Sequence, residues 1–210
     1  MKFLFLDIDG VVNSSRSVIA KIGPTLETSE LVREISRFDH EDFVNGLSPD
    51  QDTRNREGLD YGVKFGLITV DPVCVALVNK LLTAEEGIGL VLSSTHRKFL
   101  CHERVPFRSA EHLRRLRLYL TAMGFKVPEF FSATPVLHKN RGYEIDEWLN
   151  HAWEEGLFDD GDRYVILDDA ADMLPEQPLV RIDPTHGFSF NDYAEACKHL
   201  GLKEPGLVLL

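Results

Sequence analysis

The stretch Met1-Lys2-Phe3-Leu4-Phe5-Leu6-Asp7-Ile8-Asp9-Gly10-Val11-Val12-Asn13 decides the fold. Its residues 3–6 are a continuous apolar run, which reads as a strand buried on both faces of a parallel sheet. The run ends abruptly in two carboxylates and a glycine. In open α/β sheets ligands bind beyond the carboxyl ends of the strands, so Asp7 and Asp9 fall where chemistry is done. So much negative charge in one place is costly without a cation, and Mg²⁺, with its preference for carboxylate oxygen, is the natural partner. An EF-hand reading fails, because that loop needs a ligand at its fifth position and glycine at its sixth, whereas Gly10 is fourth and Val11 fifth. A plain strand-to-turn junction stays open until the other strand ends are read.

Outward from this strand, residues 14–69 are the least regular part of the chain. They hold two polar clusters, at 39–42 and 48–56, and one predicted helix over 29–38. We read 14–69 as an insertion after the first strand, a small cap over the cleft or a solvated excursion, with 1–13 and 70–210 as the core domain. Regularity returns at Asp71-Pro72, an acidic N-cap before a proline at the first helical position. The helix that follows is expected to end at Gly87, and residues 88–92 form the next strand, running into Ser93-Ser94-Thr95. Further helices are predicted over 109–123, 143–153 and 191–200, and further strands at 130–131, 164–167 and 179–182. Arg114, Arg115 and Arg117 are expected on or near the outer face of the 109–123 helix, and Trp148 and Trp153 in the core. Alternating strands and helices predict an α/β fold with a doubly wound parallel sheet. The fragment Gly87-Ile88-Gly89 precedes its strand and lacks a third glycine, so it is no dinucleotide fingerprint.

Composition narrows the functional classes. A chain of 210 residues suits one domain with an insertion. Its formal net charge of -11 opposes broad binding to a nucleic-acid backbone, leaving room only for a local basic patch. Cys74, Cys101 and Cys197 are scattered and odd in number, which predicts a reducing, cytoplasmic setting. The first apolar run is too short for a signal peptide, and no stretch is long enough to span a membrane. His96, Cys101 and His102 match no familiar zinc spacing. Oligomeric state is not legible.

Three strands end in useful residues: Asp7 and Asp9, Ser93 and Ser94, Asp168 and Asp169. On parallel strands these ends gather on one edge of the sheet. The paired acids suit a hard cation, and the Ser93 hydroxyl suits a phosphate oxygen. His138-Lys139-Asn140-Arg141, just before a helix, can supply positive charge for phosphoryl oxygens.

Phe5 to Val11, Val91-Leu92-Ser93-Ser94, Arg141 or Lys139, and Ile166-Leu167-Asp168-Asp169 together resemble the four motifs of the haloacid dehalogenase-like phosphohydrolases. Asp-Ile-Asp-Gly-Val-Val-Asn, Ser-Ser-Thr-His-Arg and Arg-Gly-Tyr-Glu-Ile are similar to a small branch found as phosphatase domains in RNA-repair proteins. The resemblance implies a Mg²⁺-dependent phosphomonoesterase in which Asp7 is the nucleophile that forms an aspartyl-phosphate and Asp9 the general acid and base. It implies Mg²⁺ held by Asp7, the Asp9 backbone carbonyl and Asp168, with Asp169 and Asp172 supporting from behind. Ser93, Ser94, Gly10 and Arg141 or Lys139 would bind the phosphoryl group; Arg141 is favoured because it directly precedes the helix. The substrate is then a small phosphorylated molecule or a nucleic-acid end, the second reading also drawing on Arg97, Lys98 and the arginines at 114–117. A phosphate-binding module without turnover is the remaining alternative.

Overall fold

The structure, a computed structural model, describes residues 1–14, 16–17, 70–98, 108–137 and 139–203. The helix expected over 29–38, the inserted unit around it, Cys101, His102 and His138 lie outside the described residues.

The described chain alternates strand and helix: β1 (Lys2–Leu6), α1 (Pro72–Leu82), β2 (Ile88–Leu92), a 3₁₀ turn (Thr95–Lys98), α2 (Ala110–Ala122), β3 (Phe131–Ala133), α3 (Arg141–Glu154), β4 (Arg163–Asp168), β5 (Leu179–Arg181) and α4 (Phe190–His199). The five strands form one sheet in the order β3-β2-β1-β4-β5, every pair parallel. β1 is central, and its register sets Leu6 beside Leu92 on one flank and Leu167 on the other. The sheet is Rossmann-like, as the buried apolar strands require.

Alternation along β1 divides the core. Leu4 and Leu6 pack with Leu90, Leu92, Val165 and Leu167 under α1, α2 and α4. Phe3 and Phe5 pack on the other face with Val91, Ile166 and the α3 residues Ile145, Trp148 and Ala152. Trp148 meets both phenylalanines edge-to-face, at centroid distances of 5.3 and 5.2 Å. Each fully buried ring of this kind is worth roughly 1.5–3 kcal/mol. The helices start where polar caps allow: Asp71 Oδ1 accepts from Val73 N, Ser109 Oγ from His112 N, and Ser189 and Asp192 form a capping box.

Three expectations need correction. α1 stops at Leu82 with Thr83 as its C-cap, and Gly87, at φ +84°, instead turns the chain into β2. Trp153 is 51% exposed, because the apolar stripe of α3 already ends at Ala152. The arginines of α2 are no free basic face: Arg114 and Arg115 both pair with Glu111, and Arg115 is buried. Arg117 donates to the carbonyls of Val127, Pro128 and Glu129 and lies over the Phe131 ring, tying α2 to the edge of the sheet. Among the described residues, no helix is long and apolar enough to cross a membrane.

Candidate active site

The polar strand ends meet on the edge that the topology requires. Asp7 N still bonds to Leu167 O and Ser93 N to Leu6 O, so Asp7 leaves the sheet between Ser93 and Asp168. The chain then turns tightly, the Ile8 carbonyl accepting from Val11, Val12 and Asn13. Gly10 sits in this turn at φ +74°, and a β-carbon there would lie 2.5 Å from Asp169 Oδ2. Glycine therefore both makes the turn and lets the Asp169 carboxylate approach β1. The Gly10 N–H is taken by Asn13 Oδ1 at 2.8 Å, so its partner is inside the turn.

Carboxylate oxygens of Asp7, Asp168 and Asp169 lie within 4.8 Å of one another. Asp7 and Asp168 are buried, Asp169 half-buried. Burial pushes Asp7 above its ordinary range against the pull of Arg141 and Ser94. Burial and then the Asp7 charge push Asp168 up to about 7. Asp168 Oδ1 accepts from Ala170 N, while Oδ2 is buried without a hydrogen-bond partner. A hard divalent cation such as Mg²⁺ fits this set: three oxygen donors, one of them orphaned, and negative charge that the protein leaves under-compensated.

Arg141 comes from the first turn of α3. Its Nη1 lies 3.6 Å from both Asp7 Oδ1 and Asp168 Oδ2, ion-pair distance but longer than a hydrogen bond. That atom, Ser93 Oγ and Thr134 Oγ1 are also buried without partners. Buried polar groups are rarely left so, and these keep hydrogen-bonding capacity that the described protein does not use. The first turn is pinned from the β4–β5 connection: Asp172 Oδ2 accepts from Arg141 N at 2.9 Å and Asp172 O from Gly142 N at 3.2 Å. Gly142 lets this connection approach, since a β-carbon would meet Leu174 N at 2.5 Å. Asp172 thus caps the helix that carries the arginine. Lys139 is exposed, its Nζ 5.8 Å from the centroid of Tyr143, and among the described residues no ion pair joins it to the acids.

A second arginine holds this edge together. Arg97 is 1% exposed, and Nε donates to Thr134 O, Nη1 to Ser94 O and Nη2 to Pro135 O. Nη2 also pairs with Glu144, whose other oxygen accepts from Leu137 N. The Ser93 loop, the chain after β3 and the Arg141 helix are thereby clamped to one guanidinium. Arg97 is spent on the fold and offers nothing to a nucleic acid, contrary to the sequence expectation.

Asp9 stands at the mouth, 54% of its side chain exposed. Asn13 Nδ2 donates to Oδ1 at 2.6 Å, and His96 Nε2 lies 3.1 Å from each carboxylate oxygen. The His96 hydrogen bond is the main cause holding Asp9 below its ordinary range. Sequence reasoning missed Asn13, His96, Arg97 and Glu144 as parts of the site, although each lies in a stretch that carried the resemblance. Tyr119, which bonds to His96, was hidden in the apolar stripe of α2.

Comparison with known proteins agrees with this geometry. The family described as HAD domain in Swiss Army Knife RNA repair proteins matches residues 3–193. No curated protein and no solved structure gives a match.

Proposed function

The chain belongs to the family of HAD domains in Swiss Army Knife RNA repair proteins, and from that membership we propose that it is a Mg²⁺-dependent phosphomonoesterase acting through an aspartyl-phosphate on Asp7. The observation that carries the reading is that Arg141 Nη1, buried without a hydrogen-bond partner, lies 3.6 Å from both the Asp7 carboxylate and the equally unpartnered Asp168 Oδ2, with a third unpartnered group, Ser93 Oγ, at the end of the adjoining strand.

In this reading Asp7 attacks phosphorus in line, forming a carboxyl oxygen–phosphorus bond as the ester oxygen–phosphorus bond breaks. Asp9 gives its proton to the departing oxygen, then takes one from the water that hydrolyses the acyl phosphate. Products are an alcohol and inorganic phosphate. The low pKa of Asp9 suits the base of the second step; it must enter the first step protonated. Arg141 and Ser93 hold phosphoryl oxygens, and positioning with charge neutralisation carries most of the rate. Mg²⁺, held by Asp7, Asp168 and the Asp9 backbone carbonyl with Asp169 within reach, would supply charge neutralisation and favour the ionised nucleophile.

The contacts between Val12, Arg16 and Asp71 bear on the domain division. Asp71 N bonds to Val12 O at 2.6 Å, and Arg16 Nη2 pairs with Asp71 Oδ2 at 2.7 Å. The described residues on either side of the segment thus meet at one point of the core. This supports a core of 1–13 and 70–210 with 14–69 as an insertion near the catalytic edge.

For the substrate class, family membership supports the end phosphate of a nucleic acid. Arg97, Arg115 and Arg117 are consumed inside the protein, so contact would centre on the terminal phosphate and not on a long backbone track. A panel of 3′- and 5′-phosphorylated oligonucleotides, nucleotides and sugar phosphates, with Mg²⁺ or with chelator, tests both points. Mg²⁺-dependent release of phosphate fastest from oligonucleotide ends is expected. Preference for sugar phosphates would reject the substrate class, and ligand-induced stabilisation without any turnover would leave a binding module.

A further inference from the structure

We propose that His96, itself oriented by Tyr119, is a positioning residue that fixes the Asp9 carboxylate so that Oδ2 faces the reacting ester. The inference rests on the phosphatase reading above and adds a residue to it.

Tyr119 is 4% exposed and reaches from the middle of α2 to His96 Nδ1, with 2.6 Å between the phenol oxygen and the ring nitrogen. Burial raises the phenol's ionisation well beyond its ordinary range, so it keeps its proton and can donate. With the phenol donating to Nδ1, the ring hydrogen is assigned to Nε2, which lies 3.1 Å from each Asp9 carboxylate oxygen. From the other side the Asn13 amide is oriented by the Gly10 N–H, which bonds its oxygen and leaves its nitrogen on Asp9 Oδ1. Oδ1 thus receives two donors and Oδ2 one, so Oδ2 keeps more lone-pair capacity for a proton in flight.

A stabilising role accounts poorly for this arrangement. Water satisfies a half-exposed carboxylate, and exposed pairs of this kind add little to folding. Yet a mostly buried ring, 14% exposed at its side chain, is held by a buried phenol in order to reach it. The backbone N–H of His96 also bonds to Ser94 Oγ, and the Ser94 hydroxyl acts on Asp7. One short turn therefore ties the orientation of the acid–base to the place of the nucleophile.

The test compares two esters of different leaving-group acidity on the full chain with Mg²⁺. p-Nitrophenyl phosphate expels a stable phenolate and needs little proton donation; glycerol 2-phosphate expels an alkoxide and needs it fully. His96→Ala is expected to lower kcat/KM for glycerol 2-phosphate by about 100-fold, and by less than about tenfold for the aryl ester. His96→Gln, which can place an N–H near the Nε2 position, should recover most of the loss, and Tyr119→Phe should show a milder loss with the same preference. Equal losses on both esters, or glutamine no better than alanine, would overturn the proposal. If the unmodified protein hydrolyses neither ester although its melting temperature rises with Mg²⁺, the phosphatase reading itself falls, and this inference with it.

Discussion

Two arginine–carboxylate clusters lie buried on the same edge of the sheet, and they are built in opposite ways. Around Arg97 each of the three side-chain nitrogens donates to a carbonyl, and Glu144 completes the pair. Around Arg141 the carboxylates stand at 3.6 Å, and Arg141 Nη1 and Asp168 Oδ2 have no hydrogen-bond partner. The first cluster is saturated and holds three segments in place. The second keeps unspent hydrogen-bonding capacity and uncompensated charge, which suits a ligand that brings its own oxygens and cation.

Exchange of function for stability should separate the two. Asp7→Asn is expected to lower turnover of p-nitrophenyl phosphate by about 10⁴-fold or more, as loss of a covalent nucleophile does. Its melting temperature without metal should hold or rise, since a desolvated charge has gone. A fall in stability with retained turnover would reverse the comparison. Arg97→Ala or Glu144→Gln should do the opposite kind of damage, stranding a buried charge and costing about 3–5 kcal/mol in urea unfolding. Arg141→Ala comes next: kcat should fall about 10²–10³-fold with a small change in melting temperature.

Mg²⁺ binding gives a graded test of the same contrast. Asp168 is held at about 7 by burial and by Asp7, well above the ordinary carboxylate range. An acid raised on folding is most favourable below its unfolded pKa, so the metal-free protein should lose stability as pH rises from about 4 through about 7. Mg²⁺ displaces the same proton, so its thermal stabilisation should grow over this window and level off above about 7. Asp168→Asn should abolish both trends; a pH-independent shift with Mg²⁺ would argue against these carboxylates as its ligands. The smallest effect is expected at Lys139, where alanine should change kcat/KM less than about twofold, in contrast to Arg141.

How much of this was legible in the sequence follows from what each pattern encodes. Buried parallel strands are continuous apolar runs, so all five strands and their polar ends could be read from the chain, and β2 coincides with its expected bounds at Ile88–Leu92. Helices with caps, such as α1 at Asp71-Pro72, started where expected. Side-chain partners were a different matter. Arg97 and Arg117 look alike as letters, and only the folded chain shows each spent on an internal acceptor. Tyr119 follows Leu116 at helical spacing and so reads as core, which by burial it is; its hydroxyl contact to His96 depends on how α2 lies against the 3₁₀ turn. Glu111, three residues before Arg114 and four before Arg115, offered pairings that spacing alone could have given.

The most direct test of the central claim is mass spectrometry on protein quenched in acid during turnover of a phosphate ester with Mg²⁺. The account predicts one added phosphoryl group on the peptide carrying Asp7, absent in chelator and absent in Asp7→Asn. Turnover at full rate with the phosphoryl group on another residue, or undiminished turnover by Asp7→Asn, would contradict it.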